Sequence, residues 1–167
     1  MRLQTLHFTG EPLSEDHFDE LVRMHRDARV MAHLGGVRDD IQTRSYLDFN
    51  LAHWKAHDFG LWVVRDRRDD RIAGRAVLRH LDIEGADEME IGYALYPEWW
   101  GRGLATEIAR ELVRLGFAEL ECRSLVAITR PGNLGSRHVL EKAGLSYDGD
   151  ITHDGIQLAL YRIARSG

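Results

Sequence analysis

The chain has 167 residues, of which 44% are hydrophobic and 29% charged, a balance typical of one globular domain with a real core. Its formal net charge of −5 argues against nonspecific nucleic-acid binding, which needs a basic face. The single cysteine, Cys122, excludes an internal disulfide and predicts a cytoplasmic protein. No apolar run is long enough to cross a bilayer, and no signal-peptide core follows Met1, so no membrane is expected as a partner.

The first half of the chain predicts strands around two helices. Residues 2–8 alternate weakly and predict a first strand. Ser14 is placed to cap a first helix, and Asp39 or Asp40 to cap a second. Three strands are then predicted near residues 60–65, 71–78 and 88–95. The densely charged segment between the first two of these strands predicts a solvated hairpin turn.

The second half alternates strands with helices. A helix is predicted from Gly103 to about Glu119, because Leu104, Ile108, Leu112 and Leu115 recur at helical spacing. The remaining predictions are a strand near 124–129, a short helix from 134, and strands near 145–149 and 156–163. Strands on both sides of helices predict an α/β or α+β fold with a mixed sheet. Neither a repeat nor a linker divides residues 1–167, so one domain is expected.

The most informative segment, Trp99–Glu107, contains two glycines where a strand-like run leads into a helix. Gly101 and Gly103 allow a ligand to approach the backbone closely. The first amides of a helix lack internal partners, and the helix dipole adds positive potential there. Such a turn favours a phosphate-bearing ligand held by main chain, although many strand-to-helix turns carry glycine only to turn.

Two common phosphate motifs are excluded at this turn. The P-loop is absent because no Gly-Lys-Ser/Thr follows. The dinucleotide fingerprint is also absent, since its third small position is Thr106 and no suitable acidic residue follows on a later strand.

A second signal lies at Asn133–Leu145, after a β-rich run and the breaker pair Pro131-Gly132. Asn133 is placed to cap a helix, with Ser136 at its third position and Gly144 just beyond its end. Ordinary helix capping is the alternative to a functional role for Asn133.

Taken together, these segments resemble the GCN5-related N-acetyltransferases, and most closely the ribosomal-protein-alanine N-acetyltransferase-like branch. The matching text is Glu90–Tyr93, Trp100–Glu107 and Asn133–Gly144. The resemblance extends over nearly the whole chain and implies a single-domain mixed sheet, splayed where the cofactor enters and flanked by helices. It also implies acetyl-CoA as co-substrate.

The resemblance assigns roles to particular residues. The amides from Arg102 to Thr106, which include Leu104 and Ala105, would hold the pyrophosphate, with Gly101 and Gly103 giving backbone access. Leu95 would pair main chain with the pantetheine arm, Asn133 would contact the arm from the other side, and Ser136 would lie near the thioester sulfur.

The chain departs from the family pattern at two positions. Trp100 replaces a frequent Gln or Arg, which this branch tolerates. The tyrosine that protonates the thiolate in many members falls at Leu140, an apolar residue, so the usual general acid is missing. Ser136 is the predicted substitute, acting directly or through water, with helix capping as its alternative role.

Acetyl transfer requires a neutral amine, and Glu90 is the candidate base, acting through water. A carboxylate in a partly desolvated cleft can have a raised pKa. The alternatives are that Glu90 faces solvent or pairs with an arginine, or that Glu88, one strand period away, is the base. A main-chain amide near Ala94 or Leu95 is the candidate oxyanion donor. Tyr93 either lines the acceptor cleft or packs on the sheet.

The sequence predicts no metal site, because its scattered histidines lack acidic or cysteine neighbours on one predicted face. Asp39, Asp40 and Asp48 would favour a cationic acceptor, or are simply solvated. The hypothesis is direct acetyl transfer to a primary amine, either a protein N-terminus or a small molecule. The alternative is a catalytically inactive acyl-CoA-binding sensor or interaction module. The oligomeric state stays open, with a homodimer as one option.

Overall fold

Seven strands form one mixed sheet in the computed structural model, which describes residues 1–167 without a gap. The strands are β1 Phe8–Pro12, β2 Leu61–Asp66, β3 Ile72–Ile83, β4 Ala86–Leu95, β5 Ser124–Thr129, β6 Ser146–His153 and β7 Ile156–Ala164. They lie side by side in the order β1, β2, β3, β4, β5, β7, β6. Neighbours are antiparallel except β4 and β5, which run parallel.

Five helices accompany the sheet: α1 Phe18–Arg26, α2 Ala28–Met31, α3 Asp40–His57, α4 Leu104–Ala118 and α5 Leu134–Lys142. Asp39 caps α3, since its carboxylate accepts from the Gln42 amide at 2.8 Å while the Gln42 side chain accepts from the Asp39 amide at 2.9 Å. This capping box satisfies donors that the helix itself leaves free. None of the helices combines the length and apolarity that crossing a bilayer requires.

Most of the predicted elements are confirmed, and the main error is the first strand. It was predicted at residues 2–8, but β1 is Phe8–Pro12, where it pairs with Trp62–Asp66. This pairing partner lies about 50 residues away, so local alternation could not identify the strand. The sequence also missed α2, and β3 continues to Ile83, beyond its predicted end at 78.

The two faces of the sheet bury different helices. On one face, Leu78 and Ile91 pack with Leu104, Ile108 and Leu112 of α4. On the other face, Leu61, Val63 and Val77 pack with Leu21 of α1 and Leu47 of α3. Each fully buried aliphatic side chain contributes about 1.5–3 kcal/mol. Because side chains alternate along a strand, residues of β3 two positions either side of Val77 also face α3.

The parallel pair β4–β5 opens partway along its length. Glu90 and Val126 are the paired residues between these strands, and the residues that follow Glu90 in β4 have no partner in β5. A wedge therefore separates the carboxyl end of β4 from β5, on the side of the sheet edge from which residues 96–103 lead into α4. The predicted α/β fold, with a mixed, splayed sheet flanked by helices, is confirmed.

Candidate active site

A cavity of about 870 Å³ occupies the wedge between β4 and β5. It extends from α2 and α3, across β3 and β4, to the first turns of α4 and α5. Nine of the ten residues predicted for the site line it: Glu90, Leu95, Gly101, Gly103, Leu104, Ala105, Thr106, Asn133 and Ser136. The tenth, Arg102, is exposed, and its guanidinium donates to the carbonyl of Glu98 at 3.2 Å.

The turn before α4 presents unpaired amides to the cavity. Gly101 and Gly103 have φ of +73° and +72°, in the left-handed region that favours glycine. From Gly101 to Thr106 no amide donates a hydrogen bond within the protein. Trp100 fixes the preceding segment, because its Nε1 donates to the carbonyl of Leu95 at 2.8 Å. Free amides at the positive end of a 15-residue helix form a setting suited to an anion.

The start of α5 faces this turn across the cavity. The Asn133 side chain accepts from the Ser136 amide at 3.1 Å, so Asn133 caps the helix as predicted. The Ser136 hydroxyl lies 3.3 Å from the Tyr93 hydroxyl, which comes from β4. Leu140 is buried and also lines the cavity. The family pattern has a tyrosine at the position of Leu140 in α5, whereas in this structure the tyrosine hydroxyl beside Ser136 comes from Tyr93 in β4.

Burial raises the pKa of Tyr93 to about 12, and the hydrogen bond to Ser136 acts in the opposite direction. Tyr93 therefore keeps its proton at neutral pH. The sequence left open whether Tyr93 lines the cleft or packs on the sheet; in the structure it lines the cavity, with its hydroxyl beside that of Ser136, 43 positions away.

Glu90 is buried, with 6% of the residue exposed, and forms an ion pair with Arg79. Arg79 Nε donates to Glu90 Oε2 at 2.8 Å, and its Nη1 donates to Asn50 Oδ1 at 3.0 Å. Burial opposes the charge of Arg79, but Glu90 and Tyr46 raise its pKa above the usual range. Glu90 Oε1 makes no hydrogen bond within the protein and is the carboxylate oxygen available to the cavity.

Glu88 has a different position. Its carboxylate accepts from both terminal nitrogens of Arg162, at 2.7 and 3.0 Å, and it does not line the cavity. Of the two carboxylates considered as base, only Glu90 reaches the cavity.

Three arginines surround the ring of Tyr46, a residue of α3 that lines the cavity, and two of them, Arg75 and Arg79, line the cavity as well. The guanidinium carbons of Arg75, Arg38 and Arg79 lie 4.5, 4.9 and 5.9 Å from its centroid. Sequence reasoning assigned no role to Arg75 or Arg79. Their signal was available: two arginines four positions apart, within the mainly apolar first part of β3, face the same side as Val77.

The acidic residues considered for the acceptor lie outside the cavity. Asp39 caps α3, while Asp40 pairs with Arg26 at 2.6 Å and Asp48 with Arg44 at 2.7 Å. No group of three or more His, Cys, Asp or Glu side chains is arranged to hold a metal ion. The side of the cavity near α3 is therefore lined by the cationic side chains of Arg75 and Arg79 and not by the three aspartates considered from the sequence.

The geometry joins an opened sheet to unpaired helix amides, a setting suited to a phosphate-bearing ligand, and comparisons with known proteins give the class of protein that carries it. Residues 9–146 match the family model described as Acetyltransferase (GNAT) domain. YkkB of Bacillus subtilis (strain 168), whose activity is uncharacterized, is 33% identical over 138 residues, covering 83% of this chain and 80% of that protein. The chain therefore belongs to the GNAT acetyltransferase family, as the sequence motifs predicted, and is an N-acetyltransferase.

Solved structures share the fold. The acetyltransferase from Agrobacterium tumefaciens str. C58 superposes with a TM-score of 0.87 at 25% identity, covering 99% of this chain and 95% of that one. RimL, a ribosomal L7/L12 alpha-N-protein acetyltransferase solved in complex with coenzyme A, has a TM-score of 0.79 at 15% identity and covers 98% of each chain.

Proposed function

We propose that this enzyme moves an acetyl group from acetyl-CoA directly to a primary amine, within one domain spanning residues 1–167. The observation that carries the proposal is the continuous cavity. It runs from the unpaired amides of α4, through the β4–β5 wedge, to the buried carboxylate of Glu90. Both reactants can meet there without a covalent enzyme intermediate.

The cofactor half is assigned to the wedge and the helix starts on either side of it. The amides from Arg102 to Thr106 bind the pyrophosphate, because free N–H groups and the helix dipole favour an anion there. The carboxyl end of β4 around Leu95, which has no partner in β5, pairs with the amides of the pantetheine arm. Asn133 borders the arm from α5.

Glu90 acts on the amine at the far side of the wedge. An alkylammonium has a pKa of about 10.4 and cannot attack until it loses a proton. Glu90 Oε1 accepts this proton through a water, while Arg79 orients the carboxylate by donating a hydrogen bond to Oε2. The nitrogen lone pair then forms the C–N bond, and a main-chain amide near Ala94 or Leu95 stabilises the oxyanion. The C–S bond breaks as the thiolate leaves.

Ser136 donates a proton to the departing thiolate and regains one, through water, from the nitrogen, which loses its second proton as the amide forms; Tyr93 orients the Ser136 hydroxyl. We expect Ser136→Ala to lower kcat by about 10²-fold with little change in acetyl-CoA affinity. The helix cap survives this change, because Asn133 accepts from the Ser136 backbone amide rather than the hydroxyl. Stopped-time assays of thiol release measure kcat, and the exposed Ser45→Ala on α3 is the matched control. An unchanged kcat would remove Ser136 from the mechanism.

The proposed function is tested first by calorimetric titration with acetyl-CoA, beside ATP and NAD. We expect 1:1 binding of acetyl-CoA alone, followed by thiol release when amines of several classes are added. Binding of acetyl-CoA without turnover on any amine would favour the acyl-CoA-binding module, a reading to which Leu140 gives some weight. Absence of binding would contradict both functions.

A further inference from the structure

We propose that Arg75, with Arg38 beside it as a second positive charge outside the cavity lining, forms a carboxylate-binding subsite in the cavity, so that the acetyl acceptor is a primary amine that also carries a carboxylate. This inference rests on the proposed function, since it names the class of amine that Glu90 would serve. It is carried by a buried guanidinium that opens into the cavity and has no anionic partner.

Arg75 is 7% exposed and lines the cavity. Its one hydrogen bond joins Nη1 to His25 Nε2 at 3.0 Å, which leaves four of the five N–H donors of a guanidinium without a protein acceptor. It forms no ion pair, and its guanidinium carbon lies 4.5 Å from the centroid of the Tyr46 ring. A buried charge in this condition requires an anion or water supplied by the cavity.

His25 holds the guanidinium in this orientation. Its Nδ1 lies 2.8 Å from the Thr43 hydroxyl, and its Nε2 faces both Arg75 at 3.0 Å and Arg38 at 3.5 Å. Burial, followed by the charges of Arg75 and Arg38, lowers the pKa of His25 to about 3. The ring is therefore neutral at physiological pH, and Nε2 accepts from the guanidinium groups. This arrangement fixes Arg75 while adding no negative charge.

Arg38 adds a second positive charge beside Arg75, although it does not itself line the cavity. It donates to the carbonyl of Leu34 at 3.4 Å, lies 4.9 Å from the centroid of the Tyr46 ring and has no carboxylate partner. Burial and the charge of Arg75 lower its pKa. Of the three arginines around Tyr46, only Arg79 has a carboxylate, that of Glu90. The cluster therefore carries a surplus of positive charge that an anionic acceptor would neutralise.

The phosphates of the cofactor are not the anion that Arg75 meets. Arg75 alternates with Val77 and Arg79 on the face of β3 that packs against α1 and α3. The amides assigned to the pyrophosphate belong to the start of α4, which packs on the opposite face. The anion bound by Arg75 therefore belongs to the second substrate.

The strand register sets the size of this substrate. Arg75 lies opposite Ala94, and Arg79 lies opposite Glu90, so four residues of strand separate the two positions. This spacing is about 13 Å along the strand, and it sets the scale of the separation between the amine at Glu90 and the carboxylate at Arg75. A guanidinium binds a planar carboxylate through two parallel hydrogen bonds. An ω-amino acid or short peptide with a free carboxylate meets both requirements.

The experiment compares 6-aminohexanoate with 6-aminohexanamide, two acceptors whose amines are chemically alike because the differing group is remote. We expect the wild-type kcat/KM to favour the carboxylate by about tenfold or more, and Arg75→Gln to abolish this preference. Arg75→Lys keeps the positive charge but lacks the paired donors of a guanidinium, so we expect it to retain part of the preference for the carboxylate acceptor. Arg44→Gln, on α3 but outside the cavity, is the control and keeps the full preference. Unchanged acetyl-CoA affinity verifies that each variant is folded and that Arg75 does not bind the cofactor.

A binding measurement separates this proposal from the proposed function. Calorimetry with the CoA-saturated protein uses adipate, neutral adipamide and inorganic phosphate as probes. Arg75-dependent binding of adipate supports the subsite even if no amine is acetylated. Equal turnover of the two acceptors, with no binding of adipate, overturns the subsite and leaves acetyl transfer standing. Arg75-dependent binding of phosphate in place of adipate overturns the assignment to a carboxylate.

Discussion

Replacing Glu90 with glutamine is expected to lower kcat by about 10²-fold or more, with little effect on the affinity for acetyl-CoA. The amide keeps the shape of the side chain but cannot take a proton from the amine. The loss should be greatest near neutral pH, where the amine is almost fully protonated. Steady-state kinetics across a pH series, with calorimetry for acetyl-CoA, provide the measurement. A pH–rate profile that matches the wild type would remove Glu90 as the base.

The ion pair with Arg79 requires two further variants. Removing the charge of Glu90 leaves a buried guanidinium without its counter-ion, and breaking a buried pair in this way costs about 3–5 kcal/mol. Glu90→Asp keeps the negative charge but draws the carboxylate back from the cavity by one methylene. A low kcat in this variant would show that the loss of activity comes from the position of the base and not from a lost counter-ion. Glu88→Gln is the matched control, because Glu88 lies on the same strand but pairs with Arg162 outside the cavity.

Gly103→Trp is expected to reduce acetyl-CoA affinity by about 10²-fold or more, because the indole would occupy the space in front of the α4 amides. A Cβ at Gly103 has no atom within 4 Å, so the residue borders open space rather than packed protein. The substitution therefore acts on ligand approach more than on packing. Calorimetric titration gives the dissociation constant, and a thermal melt checks that the variant is folded.

Backbone strain must be separated from this steric block. Gly103 has φ of +72°, and a side chain in the left-handed region costs about 1–2 kcal/mol for most residues. Asparagine tolerates that region better than other non-glycine residues, so Gly103→Asn carries little strain and little bulk. We expect Gly103→Asn to retain affinity within about tenfold. If Gly103→Trp bound acetyl-CoA as tightly as the wild type, the assignment of the pyrophosphate to this turn would be wrong.

Local patterns predicted the secondary structure where the chain itself carries the signal. Apolar spacing predicted a helix to about Glu119, and α4 ends at Ala118. The β-rich run after Cys122 predicted β5 with its observed bounds, residues 124–129. Capping chemistry predicted Asn133 as a cap and offered Asp39 or Asp40 for α3, of which the structure shows Asp39, because a cap involves residues only three positions apart. The first strand failed, since its pairing with β2 is a tertiary contact.

Motifs and apolar spacing were enough to predict the fold class, the family and the glycine turn that opens α4, because residues close together in the chain carry these signals. Which side chains face one another in the cavity depends on how distant segments pack. Arg75 and His25 are 50 positions apart, and Tyr93 and Ser136 are 43 apart. Glu90 was distinguished from Glu88 by its neighbours, Arg79 across the sheet and the opening beyond Val126. Periodicity indicates which face of an element is buried, but the partner of each charged side chain is set only when distant segments pack.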